Sequence, residues 1–141
     1  MIQALRAEHL VLRDHAAQLL AIVSADVPDA AAVAAMRWRM AQALRDHCER
    51  EDREIYDRLL SSGDAVATDV AWRCRQEHGT LGSIFATHMA SWPVDRINRE
   101  WPHFRADTRA LMFDLADRIA HEEQILYPQA ERIVARQRAA A

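Results

Sequence analysis

Apolar residues recur every third or fourth position through most of the chain, the spacing of one face of an α-helix. Leu5, His9, Leu12, Ala16, Leu19 and Val23 form the first stripe, and that helix is expected to end before Pro28. Pro28-Asp29 opens a long second helix. Its stripe is Val33, Met36, Met40, Leu44, His47, Glu51, Ile55 and Leu59, and Ser61-Ser62-Gly63 stops it. Asp64 caps a third helix. That stripe holds Val70, Cys74, His78, Leu81, Phe85 and then His88 or Met89, and Trp92-Pro93 ends it. Residues 94–103 form a connection with one short helical turn. A fourth helix starts near Phe104 and carries Phe104, Thr108, Leu111, Leu115, Arg118, Glu122 and Ile125. Pro128 is expected to bend or break it, leaving Arg132 to Ala141 as a fraying basic tail. Short connections between helices of similar length predict a single all-α domain over residues 1–141, an antiparallel up-down-up-down four-helix bundle.

Each stripe is apolar except at one place. The interruptions are His9, the His47/Glu51 pair, His78 and the Arg118/Glu122 pair. Residues four apart share a helix face, so His47 and Glu51 point inward together. Counted from the bundle end that holds the Ser61-Gly63 turn, His47, His78 and Glu122 all fall roughly 18–21 Å deep at 1.5 Å rise per residue. His9 joins them if the first helix starts slightly deeper. Singly, each has an ordinary explanation: a lone core histidine satisfied by a neighbour, or a helix-surface His-Glu pair. Their agreement in level points instead to one buried polar site. His15, His88, His103 and His121 are expected on solvated flanks or loops. The run 49–54 is a wet helix face apart from Glu51.

Composition narrows the function. Half of the residues are apolar and 28% are charged, a globular balance. Net charge is −3 with mixed signs, so neither nucleic acid nor an acidic membrane surface is an expected partner. Three glycines and four prolines suit a helical protein. No signal peptide or bilayer-spanning run is apparent. Two cysteines make no disulfide framework, and a cytoplasmic setting is expected.

Imidazole and carboxylate donors suit iron, manganese or zinc. Carboxylates from two helices can bridge two ions, and open positions at such a centre bind or activate small diatomic molecules. No nucleophile with a positioned base appears, so an enzyme is not expected. A ferritin-like oxidase wants Glu-x-x-His on two helices. The one such spacing, Glu100 to His103, contains Pro102 and sits in a connection.

Five pieces resemble the hemerythrin-like, or HHE, cation-binding domains: Glu8-His9; His47-xxx-Glu51 followed by Asp52 and Ile55-Tyr56; Glu77-His78-Gly79-Thr80-Leu81; Glu122 through Pro128; and their order. The resemblance covers nearly the whole chain. It implies a non-haem di-iron pair between four helices. It implies His9 and His47 as terminal ligands of one metal, Glu51 and Glu122 as bridging carboxylates, and His78 as a ligand of the second metal.

One position departs. The family usually carries a histidine four residues before the last glutamate, and here that residue is Arg118. Arginine only donates hydrogen bonds and cannot ligate a metal. His121 lies about 100° away from Glu122 around the helix and is a poor substitute. Three outcomes follow: two ions bind with Arg118 turned outward, one ion binds with the guanidinium in the second position, or none binds and Arg118 bridges the carboxylates. The last makes the chain a metal-free regulatory or interaction module. Cys74, one turn before His78, is a candidate thiolate for the second position, although a buried cysteine is more often a small hydrophobe. Cys48 points to a neighbouring helix or outward. Trp38, Trp92 and Trp101 are expected to cap the far end of the core, and Trp72 to sit in a helix groove or an interface. A homodimer is one use for such a Trp-rich end.

Overall fold

In the computed structural model the chain is helical almost throughout, and the described residues contain no strand. The structure describes residues 1–78 and 81–141, with the side chains at 77 and 78 left out. Helix α1 is Ile2–Val23. The second rod runs over residues 30–60 as α2 (Ala30–Glu51), a π-helical turn (Asp52–Tyr56) and α3 (Asp57–Leu60). Asp29 caps its start by accepting a hydrogen bond from the Ala32 N–H. The third rod comprises α4 (Ala65–His78) and α5 (Leu81–Ser91). After α6 (Val94–Arg99), the last rod is α7 (Trp101–His121), a second π turn (Glu122–Leu126) and α8 (Tyr127–Ala140). The four rods form the expected all-α bundle: α1 packs on α2 and α7, α5 on α2, and α4 on α8.

Two apolar clusters fill the bundle. One holds Leu12, Leu19, Met40, Leu44, Phe104 and Leu115. The other holds Leu5, Ile55, Leu59, Ala71, Leu126 and Ala130. Between them lies a buried polar layer: His9, His47, Glu51, Arg118 and Glu122.

Several expectations need correction. The last helix begins at Trp101, with Pro102 in its first turn, where a missing N–H costs nothing. The tail does not fray; α8 continues to Ala140. Pro128 is tolerated because the π turn has just ended, so Pro128 occupies the first turn of α8. The same π turn inserts a residue into the 3.6-residue phase, so Leu126 and Tyr127 are buried and Ile125 is 45% exposed. Trp38 is 63% exposed and does not cap the core. Trp92 and Trp101 do, their indole N–H groups bonded to Asp107 and the Ala25 carbonyl. Trp72 is exposed. His88 is buried rather than solvated, between Phe85 and Phe104 and against Thr108 Oγ1. The third stripe's drift therefore resolves towards His88.

Candidate metal centre

The polar layer follows from helix phase. His9 on α1, His47 and Glu51 on α2 and Glu122 at the end of α7 all sit on core-facing stripes. Four donor atoms, one from each, lie within 4.8 Å of one another. His9 Nε2 is 3.2 Å from His47 Nε2 and 3.1 Å from Glu122 Oε1. His47 Nε2 is 3.2 Å from Glu51 Oε2 and 3.8 Å from Glu122 Oε1.

Outer residues orient these donors. The far ring nitrogen of His9, Nδ1, donates to Glu123 Oε1 at 2.8 Å. That of His47 donates to Glu8 Oε1 at 3.0 Å. Each pairing anchors Nδ1 and turns Nε2 towards the centre, the usual arrangement of a metal-bound histidine. The Tyr127 hydroxyl donates to Glu51 Oε2 at 2.8 Å and lies 3.1 Å from His9 Nε2, with its ring stacked on that imidazole. Sequence reasoning missed all three. Glu8 and Glu123 each sit one position from a ligand, about 100° around the helix, and Tyr127 reaches the layer because of the π turn. A repeated interval was the available signal: Tyr56 follows Glu51, and Tyr127 follows Glu122, by the same five residues.

Burial sets the charges. It pushes Glu51 up from the usual carboxylate range, with the like charge of Glu122 adding to it. Burial opposes ionisation of Glu122 as well, but His47, His9 and the Arg118 guanidinium outweigh it and hold that carboxyl well below the ordinary range. Burial would neutralise His47, yet the carboxylates of Glu122 and Glu51 push it up to about 10. In the metal-free centre a proton on His47 thus stands where a cation belongs. A metal taken up here displaces that proton.

Arg118 is only 8% exposed, so it does not turn outward. Its Nε donates to Glu122 Oε2 at 2.8 Å. That takes the carboxylate oxygen a second ion would need, while Oε1 faces the first position. The structure brings together His9, His47, Glu51 and Glu122 and places Arg118 against them. The side chain of His78 lies outside what the structure describes. Cys74 is buried in the apolar cluster below the layer.

The match to known families agrees with this geometry. The family model of the hemerythrin HHE cation binding domain matches residues 1–130. The chain belongs to that family. No curated protein and no solved structure matches it. As a hemerythrin HHE domain it carries a buried histidine and carboxylate set that suits a metal ion. Four donor atoms converge, and both imidazoles are anchored through Nδ1 with Nε2 facing the centre. These residues fit one ion in the first position. No described helix is long and apolar enough to cross a membrane.

Proposed function

We propose that this hemerythrin HHE domain binds a single iron-type ion through His9, His47, Glu51 and Glu122. Its work is to bind or sense a small ligand of that ion, such as dioxygen, nitric oxide or peroxide, or iron itself. The observation that carries the reading is the convergence of four buried donor atoms within 4.8 Å. His9 and His47 supply neutral nitrogen, and Glu51 and Glu122 supply charge. Tyr127 holds Glu51 in place, and Arg118 neutralises the outer oxygen of Glu122. When bound, the ion supplies open coordination positions for the small ligand. Manganese or zinc would suit the same donors. A cytoplasmic setting is in keeping with cysteines, Cys48 and Cys74, that form no disulfide.

A second reading has one observation in its favour. With His47 protonated, His47 and Arg118 balance two buried carboxylates without any metal, which suits a metal-free interaction module. Elemental analysis of protein expressed with ample iron separates the two. One ion per chain supports the metal centre, two ions would remove the argument from Arg118, and none would leave the module.

A further inference from the structure

The outer face of α7 carries a pattern that the bundle does not use. Phe113 is 74% exposed, more than any other large apolar residue of the described chain. A single exposed apolar side chain is ordinary; its surroundings are not. Ala106, Arg109, Phe113, Asp117 and Ala120 follow one another at intervals of three, four, four and three residues, so they form one stripe on the solvent side of α7. In size the stripe is symmetric about Phe113, with an alanine seven residues to either side. In charge it is antisymmetric, with Arg109 four residues before the ring and Asp117 four residues after it. Ala110 and Ala116, three residues to either side, keep the flanks of the ring low.

A second copy of this helix, antiparallel to the first and related to it by a two-fold axis through Phe113, sets each residue before the ring against the one equally far after it. Arg109 then meets Asp117 of the second copy, Asp117 meets its Arg109, and alanine meets alanine at the ends of the stripe. Within the described chain both charges are exposed and neither has an ion-pair or hydrogen-bond partner. Beside the stripe runs a shallow apolar groove of about 200 Å³ between α1 and α7, lined by Ala16, Ala17, Leu20, Met112, Ala116 and Ile119. It offers a seat for the second copy's Phe113 ring. The other exposed rings lack such surroundings. Trp38 has no charged residue three or four places to either side. The charges three places from Trp72, Asp69 and Arg75, are already paired with Arg73 and Asp52.

We propose that the solvent face of α7 is the contact of a homodimer, in which two copies pack antiparallel about Phe113 and exchange two reciprocal Arg109–Asp117 pairs. The occupant is a second copy because the face is complementary to itself: the charge on one side of the ring is matched by its opposite at the same distance on the other. A different partner would need no such balance. The contact lies along the middle of the last rod rather than at the Trp-rich end, where Trp92 and Trp101 are buried in the core. It leaves the polar layer inside the bundle untouched and does not depend on the metal reading.

Sedimentation velocity of the full chain, run between micromolar and millimolar concentration, reads the dimer. A contact made by one pair of helices is small, so a concentration-dependent monomer–dimer equilibrium is expected rather than an obligate dimer. Phe113→Asp sets two carboxylates on the axis and should abolish the dimer. Arg109→Asp and Asp117→Arg each turn both reciprocal pairs into repulsions, and each should weaken dimerisation about tenfold. Combined in one chain, Arg109→Asp and Asp117→Arg restore the pairing with the signs exchanged, and dimerisation should return to the wild-type level. All three positions are exposed, so circular dichroism of every variant should stay helical. A wild-type chain that remains monomeric at millimolar concentration would overturn the proposal and leave the face to a different partner. A dimer indifferent to Phe113→Asp would overturn it too, as would a double variant that dimerises no better than the single ones.

Discussion

The two outer carboxylates offer a sharp test of how the site is built. Glu123 and Glu8 touch no metal-facing atom; each holds only the far nitrogen of a histidine, at 2.8 and 3.0 Å. Removing such a partner typically costs 10–100-fold in metal affinity, or about 1.4–2.7 kcal/mol. Glu123→Ala frees His9 to rotate or to change tautomer, and Glu8→Ala does the same to His47. Both glutamates are about a quarter exposed, at 25% and 28% for their side chains, so truncation should leave the fold intact. Each also pairs with an arginine, Glu123 with Arg13 and Glu8 with Arg50. Those arginines are some 40% exposed, and exposed pairs contribute little. Arg13→Ala and Arg50→Ala are therefore the controls, expected to change affinity less than threefold. Glu123→Gln keeps an acceptor oxygen but loses the charge, and should fall between. The assay is competition against a chromophoric chelator at fixed pH. If Glu123→Ala and Glu8→Ala bind metal as tightly as the wild type, the imidazoles are not held as ligands and the reasoning fails. Losses no larger than those of the arginine controls would say the same.

Other predictions follow from the same geometry. Arg118→His restores an imidazole and frees Glu122 Oε2, so metal content should rise above that of the wild type; unchanged content would mean that the second position lacks more than this one ligand. Glu51→Ala should abolish metal binding while leaving the far-ultraviolet circular dichroism helical; retained metal would show that Glu51 is not a ligand. His88 is buried with its Nδ1 unpaired, and desolvation lowers its pKa despite the pull of Asp107. The folded state thus binds fewer protons than the unfolded chain, and the associated stability is present above the unfolded value near pH 6.5 and lost as pH falls through it. His88→Leu should therefore narrow the gap between urea midpoints measured on metal-free protein at pH 7.5 and pH 5; an unchanged gap would place the acid sensitivity elsewhere.

Most of the bundle was legible because burial imposes a period. Leu5 to Val23 and Val33 to Leu59 carry their stripes without a break, and the inward polar steps at His9, His47, Glu51 and Glu122 stand out against them. What escaped was whatever the 3.6-residue period does not describe. The two π turns widen the helix by one residue each. That carries Tyr56 and Tyr127 into the buried layer and turns Ile125 out to solvent. Glu8 and Glu123 are half on the surface, and their role depends on which ring nitrogen they meet, a detail no spacing encodes. His88 was misplaced because Phe104 and Thr108 of α7 close over it, a contact between helices that periodicity within one helix cannot foresee, and Trp38 because it lies off the buried Met36–Met40 stripe of α2. Arg118 was visible as a departure, but its direction was settled only by the 2.8 Å bond to Glu122.

The central claim is a one-metal centre with a guanidinium in the second seat. Anomalous diffraction from a crystal of iron-loaded protein, recorded at the iron edge, tests it most directly. The account predicts one peak per chain, enclosed by His9 Nε2, His47 Nε2, Glu51 and Glu122, with Arg118 still bonded to Glu122. Two peaks within the layer, or a peak bound by other residues, would contradict it.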